Sequence, residues 1–263
     1  MKRNVVLTII LFLSVIGVRA QLNCTFTHYT QENGLSQNTI MDMIQDSDGL
    51  IWFATWNGIN RFDGYEFKIY KAHKDNDSQW SSNRVEKLEM DSHGNIWCVS
   101  YDGRAFRFDK RQEAFHEIKP QGNIDFIADR IVALKNSSVW LLSPENGAVR
   151  VTGNSVTFEN YGKVNNVFLD SRQHEWVLTD DGLRCIDAKT NKQSTYFATN
   201  KKTKAVDKQN FLSAVEADEK IYFGSDKGRI WVNDIKTGEF TMHTIDANDE
   251  VFYMESLKNG KLL

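Results

Sequence analysis

Aromatic and arginine side chains recur within the turns and connections between the predicted strands of this sequence. Aromatic rings can stack on the apolar faces of sugars, and amides, carboxylates and arginine bind hydroxyl or anionic groups. We therefore predict a binding site for an oligosaccharide, an anionic one especially, that involves some of Trp56, Trp80, Arg84 and Tyr101. The alternative is that Trp56 packs on a neighbouring structural unit and that the other turn residues are solvated.

Other reactive side chains form weaker patterns. The segment Asp46-Ser-Asp48-Gly49 resembles the start of a calcium loop, but it lacks the third acidic ligand and the distal glutamate of such loops. The six histidines are scattered, and the sequence has no Gly-rich phosphate loop, nucleophile elbow or His-Glu-x-x-His motif. We therefore predict no catalytic residue, no metal site and no cofactor.

The turns belong to a sequence motif that recurs along the chain. The motif covers residues 46–63, 91–109 and 170–187, and each copy begins and ends with aspartate. Weaker copies centre on Trp140 and Tyr222. Repeats of roughly 40–45 residues that are rich in strands are typical of β-propeller blades. The anchoring aromatic residues, which lie 45, 43, 36 and 46 residues apart, are Trp52, Trp97, Trp140, Trp176 and Tyr222.

The first copy predicts how one blade is built. Four short runs with apolar or alternating patterns, over residues 39–44, 50–55, 59–62 and 65–70, indicate four antiparallel strands. Asn57-Gly58 predicts a type I′ hairpin turn, which needs positive φ at both central residues. The anchoring tryptophans are expected in the core between blades. The loops after the second and fourth strands open on one face, so this face should carry the candidate binding residues.

The N-terminus has the pattern of a secretory signal peptide. Lys2 and Arg3 precede an apolar run over residues 5–18, and Val18-Arg19-Ala20 provides a cleavage site. We predict a signal peptide over 1–20 and a partial propeller over 21–263. Loss of three basic residues with the signal peptide leaves 29 basic and 35 acidic residues, a net charge of about −6. This negative charge argues against binding to nucleic acid and to an anionic membrane surface. The count of three cysteines is odd, Cys98 and Cys185 occupy repeat-phased positions and Cys24 lies in the N-terminal stretch, so the cysteines do not indicate a disulfide framework.

The residues over 33–65 resemble the two-component regulator propeller repeat. The resemblance rests on Asn33-Gly34-Leu35-Ser36-Gln37-Asn38, the Asp-x-x-Gly-x-Ile-Trp52 phrase and Thr55-Trp56-Asn57-Gly58-Ile59-Asn60-Arg61-Phe62-Asp63-Gly64-Tyr65. It is close over 30–70 and weakens towards residue 235.

The resemblance implies an all-β fold, the seven-bladed β-propeller of a periplasmic sensor, of which about five blades and the start of a sixth are present here. In that family the sensor precedes a membrane helix, a histidine kinase, a receiver and a DNA-binding domain. It senses a glycan fragment and controls polysaccharide-utilisation genes. The expected partners are an oligosaccharide, the remainder of the sensor ectodomain and, in a family-type homodimer, a second copy. Membrane contact would come only through downstream segments absent here, so we interpret the chain as an N-terminal fragment.

Two other functions stay open on the sequence. One is a structural or protein-docking propeller. The other is a secreted propeller enzyme that acts on glycans, which would need clustered acid and base residues on one face. The sequence displays no such cluster.

Overall fold

The computed structural model describes residues 25–71, 82–122, 124–145, 147–187, 189–197, 209–246 and 248–257. The predicted signal peptide, Cys24 and Trp80 lie outside these residues. The described part contains strands, turns and one short 3₁₀ turn at Gln31–Asn33, which is capped by Thr30. No helix within it is long and apolar enough to cross a membrane.

Twenty strands of the described residues form five sheets of four antiparallel strands each. In every sheet the four strands lie side by side in the order in which they follow each other along the chain. This is the predicted propeller architecture. Blade one contains β1 (Ile40–Gln45), β2 (Ile51–Thr55), β3 (Gly58–Phe62) and β4 (Phe67–Tyr70). Blade two contains β5 (Val85–Met90), β6 (Ile96–Ser100), β7 (Ala105–Asp109) and β8 (Ala114–Glu117).

The remaining three blades repeat this order. Blade three contains β9 (Arg130–Ala133), β10 (Ser138–Leu142), β11 (Ala148–Thr152) and β12 (Ser155–Glu159). Blade four contains β13 (Val164–Leu169), β14 (His174–Thr179), β15 (Gly182–Asp187) and β16 (Gln193–Tyr196). Blade five contains β17 (Phe211–Ala217), β18 (Lys220–Ser225), β19 (Arg229–Asp234) and β20 (Phe240–Thr244).

Each blade packs against the next blade along the chain. The first strands lie side by side in three of the four neighbouring pairs, and between blades three and four β13 contacts β10. The second strand of each blade is nearly continuous in buried residues, because it is covered on both faces. The four tryptophan anchors are buried in these interfaces, as predicted. Trp52, for example, contacts Phe108 and Phe115 of blade two at ring-centroid distances of 5.0 and 6.3 Å.

The aspartate of the Asp-x-x-Gly-x-Ile-Trp motif has a structural role. Asp91 Oδ1 accepts hydrogen bonds from the backbone N–H groups of His93 and Asn95, and Oδ2 accepts one from Trp97 Nε1 at 2.9 Å. The same three bonds recur from Asp46 to its turn and to Trp52, and from Asp170 to its turn and to Trp176. The carboxylate therefore ties the first turn of a blade to the buried indole, and the calcium-loop likeness of Asp46 reflects turn capping.

The predicted type I′ turn is wrong in its position. Thr55 pairs with Gly58, so the two residues at the tip are Trp56 and Asn57, and neither has a positive φ. Gly58 adopts φ 108° at the start of β3, where its N–H donates to the Asn83 carbonyl of the next connection. The one-residue offset places Trp56 at the tip of the hairpin.

Residues 248–257 begin to pack on blade five. Val251 N–H donates to the Ser225 carbonyl at 3.2 Å, and Ser213 Oγ donates to the Val251 carbonyl at 2.6 Å. Met254 is buried. This is the position of the predicted sixth repeat, whose last residues, 258–263, lie outside the described part.

Candidate ligand-binding face

The turns between second and third strands lie beside the entries to the first strands, as predicted for one common face. Tyr101 N–H donates to the Arg84 carbonyl at 2.9 Å, and Gly58 N–H donates to the Asn83 carbonyl at 2.7 Å. The turn of blade two is thereby bonded to the residue before its own first strand, and the turn of blade one to the connection that leads into blade two. The same pattern recurs at Asp180 with Lys163 and at Gly103 with Ala128.

Three of the four predicted site residues meet on this face. The Arg84 guanidinium carbon lies 4.8 Å from the ring centroid of Trp56 and 4.1 Å from that of Tyr101. Trp56 comes from blade one, while Arg84 and Tyr101 come from blade two. We call these three residues the arginine sandwich. Cation–π contacts at such distances are worth about 0.5–2 kcal/mol each, depending on exposure.

The two rings of the arginine sandwich remain partly open to solvent. Trp56 is 47% and Tyr101 61% exposed. Trp56 Nε1 lies 2.9 Å from the Met41 sulfur, a weak acceptor that a ligand hydroxyl could replace. Trp56 therefore contacts a residue of the neighbouring blade, as the alternative prediction expects, and still exposes about half of its side chain.

Repeated β-bulges aim residues at this face. The pairing of the first two strands shifts register in blades one, two, four and five, and the residue skipped in each is Met41, Glu86, Asn165 or Leu212. Bulges change the direction of a side chain and are common beside binding sites. Glu86 uses this position to pair with Arg84, with 3.0 Å between Oε1 and Nη2. No feature of the sequence marks these bulges, so the positions of Met41 and Glu86 on this face could not be predicted.

The other predicted turn residues have individual roles. Asp102 accepts a hydrogen bond from Ser100 Oγ at 2.5 Å, and Asp181 accepts one from Thr179 Oγ at 2.8 Å. Arg184 lies 4.8 Å from the Tyr161 ring centroid and donates to Thr179, which makes a second arginine–aromatic contact on the same face. Trp80 belongs to the connection outside the described residues.

A groove of about 630 Å³ begins beside the arginine sandwich at Asp102. Its walls include Arg104, Glu117, Lys119 and Phe126. Arg104 pairs with Asp102 and Glu117 at 3.7 Å each, and Lys119 pairs with Glu117 at 2.9 Å. A groove of this size can hold a small ligand. The connection between blades two and three forms one wall of the groove, and the sequence predicts no binding residue in it.

The described cysteines are thiols within the blades. Burial raises the pKa of Cys98 well above its ordinary value, and burial, followed by the charge of Asp170, raises the pKa of Cys185 to about 12. Both groups are therefore protonated at neutral pH and poor nucleophiles. Among the described residues no cluster of histidine, cysteine, aspartate and glutamate has the arrangement of a metal site.

Comparison with known proteins agrees with this architecture. The family model of the two component regulator propeller matches residues 34–57. These 24 residues are similar to one copy of that repeat. The match covers β1, β2 and the hairpin tip that carries Trp56.

A curated relative shares the repeat region. Histidine kinase P4 of Formosa agariphila is 43% identical over 72 residues, which are 26% of this chain and 5% of the kinase. The chain therefore corresponds to a small part of that relative's length.

Solved structures share the fold. The extracellular domain of the putative hybrid two component system BT4673 from B. thetaiotaomicron matches with a TM-score of 0.57 and 19% identity, over 86% of this chain and 32% of that domain. The computationally designed protein Ika8 matches with a TM-score of 0.54 and 13% identity, over 86% of this chain and 70% of its own. These solved structures agree with the propeller fold of the chain.

Proposed function

We propose that this chain is the ligand-sensing propeller of an exported hybrid two-component sensor, and that its ligand is an oligosaccharide bound at the arginine sandwich. The observation that carries the proposal is the meeting of Trp56, Arg84 and Tyr101, which come from two blades and lie on one solvent-facing surface. The repeat and the kinase relative support the sensor role.

The location of the arginine sandwich suits signalling. It joins blade one to blade two, so a ligand that stacks on both rings contacts two blades at once. A ligand with different affinity for two arrangements of the blades shifts the population between them. In the proposed full sensor this shift passes to a kinase outside this chain, which then controls polysaccharide-utilisation genes.

The proposal places the chain in the periplasm after removal of residues 1–20. It assigns binding to the chain and leaves catalysis to the kinase. Its partners are the oligosaccharide, the remainder of the ectodomain and a second copy of the sensor. Mass spectrometry of the exported protein tests the first point, because cleavage after Ala20 leaves Gln21 as the first residue.

Calorimetric titration with oligosaccharides found by array screening tests the binding site. We expect Trp56→Ala and Tyr101→Ala each to weaken binding about fivefold or more, the equivalent of about 1 kcal/mol, because each removes a stacking ring. Trp80→Ala tests the remaining predicted residue. Tyr65→Ala is the matched control, since Tyr65 is 93% exposed and lies on a turn between third and fourth strands, away from this face.

Two outcomes would contradict the proposal. If no oligosaccharide binds the chain, a structural or protein-docking propeller becomes the better interpretation. If an oligosaccharide binds but the Trp56, Trp80 and Tyr101 variants bind like wild type while folded, the site lies elsewhere. Turnover of the oligosaccharide during the titration would favour the enzyme alternative.

A further inference from the structure

We infer that the arginine sandwich selects a sugar with one anionic substituent, a carboxylate or a sulfate, and that Glu86 is the internal carboxylate which this substituent displaces. The inference rests on the proposed oligosaccharide function and names the chemistry of its site. It is carried by the arrangement of charges around Arg84, compared with the other arginines of the same face.

The Arg84 side chain contacts two aromatic rings and one carboxylate. Its guanidinium lies between Trp56 and Tyr101, and within the described residues its Nε is buried without a hydrogen-bond acceptor. The acceptor that faces its outer edge is Glu86, 3.0 Å from Nη2. Contact with two rings restricts the movement of the guanidinium, whose planar set of N–H donors can form two parallel hydrogen bonds to a carboxylate or sulfate.

The Glu86 pair is suited to displacement. Both side chains are about one-third exposed, at 36% for Arg84 and 33% for Glu86. Ion pairs with this degree of exposure contribute little, roughly 0–1 kcal/mol. An external anion can therefore take the place of Glu86 at small cost, particularly when the sugar that carries it also stacks on the neighbouring rings.

The other arginines of this face also have protein partners. Arg104 pairs with two carboxylates, Arg130 pairs with Asp129 and donates to the Asn165 carbonyl, Arg184 contacts Asp181 and Thr179, and Arg229 donates to Gln209. Arg84 differs from them because it lies over two half-exposed rings of different blades. A sugar that stacks on a ring there brings its anion to Arg84, where it has one carboxylate, Glu86, to displace.

Carboxylates on the later blades limit where an anion can bind. The turns of blades three to five that correspond to the Trp56 turn carry Glu145, Asp180, Asp181 and Asp226. The carboxylate nearest to the arginine sandwich in the sequence, Asp102, already has Ser100 and Arg104 as partners. Like charges disfavour an anionic group near these residues. A ligand charged at every sugar is therefore disfavoured, while a ligand with one charged sugar at the Arg84 end is accepted.

The test is calorimetric titration of the purified chain with three groups of oligosaccharides of matched length. They are neutral, carry one uronic acid, or carry one sulfate, and the methyl ester of the uronic acid probe serves as its uncharged counterpart. We expect the singly charged probes to bind at least about tenfold more tightly than neutral ones, because a charge-assisted bidentate pair forms. The two anionic groups of probes show which substituent is preferred.

Variants then assign the effect. Arg84→Gln should remove the preference for the acid over its methyl ester, and Glu86→Gln should strengthen binding of the acid several-fold without changing the ester. Arg111→Gln is the control, since Arg111 lies on the turn between β7 and β8, on the other face. Circular dichroism and thermal melting confirm that the variants are folded.

The outcomes separate this inference from the proposed function. If neutral oligosaccharides bind as tightly as charged ones, or if Glu86→Gln weakens binding of the acid, the inference is overturned while oligosaccharide sensing stands. If no probe of any group binds, both the inference and the oligosaccharide proposal fail.

Discussion

Glu175 performs a task in blade three that an aspartate performs in three other blades. Six residues before the anchoring aromatic, Asp46, Asp91 and Asp170 each accept the indole N–H, but blade three has Leu134 at this position. Its Trp140 Nε1 donates at 3.0 Å to Glu175, which belongs to blade four.

Glu175 is also the centre of a buried network. It is fully buried, it accepts hydrogen bonds from Ser138 and Asn136, and it pairs with Arg150 at 2.9 Å. In the other blades the residue at the position of Glu175 is Ile51, Ile96, Val139 or Ile221. Two unusual residues, Leu134 and Glu175, therefore compensate for each other across a blade interface.

A double-mutant cycle tests this compensation. We expect Glu175→Ile to cost about 3 kcal/mol or more of unfolding free energy, because Arg150 and the Trp140 N–H lose their buried acceptor. Leu134→Asp should destabilise the wild type, since it adds a second carboxylate near a satisfied indole. In the Glu175→Ile background the same change should stabilise, since it restores the acceptor used in other blades.

The measurement is urea unfolding of the four proteins, followed by tryptophan fluorescence. The sign of the Leu134→Asp effect must reverse between the two backgrounds. If Leu134→Asp is equally destabilising in both, Glu175 does not replace the missing aspartate.

At the scale of the element, the turn between β2 and β3 depends on Gly58, which lies against the end of β4 and the connection that follows it. A methyl group on Gly58 would lie 2.5 Å from the Tyr70 carbonyl oxygen, whereas one on Gly64 would meet open space. The two glycines have nearly the same φ, 108° and 100°. A comparison of the two positions therefore separates the backbone preference from the contact between connections.

We expect Gly64→Ala to cost about 1–2 kcal/mol, the usual penalty for an alanine at positive φ. Gly58→Ala should cost clearly more, because the hydrogen bond from residue 58 to Asn83 must also be distorted. Thermal melting of both variants gives the comparison. Equal losses would mean that the close approach at Gly58 is relieved without cost.

The first turn of a blade makes stability depend on pH in the acid range. Burial opposes ionisation of Asp91, but hydrogen bonds from Asn95 and Trp97 outweigh it and lower the pKa of the carboxyl below the ordinary 3.8. The pKa of Asp170 is lowered in the same way, against burial, by hydrogen bonds from His174 and Trp176. The folded state thus favours the charged carboxylates.

A lowered folded-state pKa contributes stability that is present above the unfolded pKa and lost as the pH falls through the folded one. We expect the free energy of unfolding to decline below about pH 4. Asp91→Asn should make this decline shallower while lowering stability at pH 7. Urea unfolding at pH 7, 5, 4 and 3 measures both effects, and parallel curves for variant and wild type would contradict the assignment.

The sequence predicted most of what is regular in these elements and less of what is specific to one blade. Strand order, the burial of Trp52 and its equivalents, and the face that holds Trp56, Arg84 and Tyr101 follow from periodicity and turn residues. The tip of the first hairpin was offset by one residue, because Asn57-Gly58 is compatible with two turn positions. The bulge at Glu86 and the exchange between Leu134 and Glu175 depend on contacts between blades, which one sequence does not display.

At the scale of the whole molecule, each blade is covered by its neighbours to a different extent. Blades two to four have a blade on either side, while the Tyr222 surface of blade five forms an open cavity of about 410 Å³ lined by Ile230, Val232 and Thr241. In repeat proteins stability comes largely from such neighbour interfaces. Local opening is therefore expected to differ along the array.

Hydrogen exchange followed by mass spectrometry should resolve this gradient. We expect the second strands of blades two, three and four to be the most protected and β20 of blade five the least. Protection of β20 equal to that of β10 would show that the chain unfolds as one cooperative unit. The comparison needs no variant, and strand β18 of the same blade serves as an internal reference.

The exchange between Leu134 and Glu175 limits how modular the array is. Repeats that each carry their own aspartate and tryptophan could be duplicated, deleted or reordered, because every blade brings what its indole requires. Blade three cannot be moved in this way, since its tryptophan depends on a glutamate encoded in the following repeat. Any rearrangement of the gene that separates these two repeats would leave an unsatisfied indole and an uncompensated Arg150, so we expect blades three and four to be inherited as a pair.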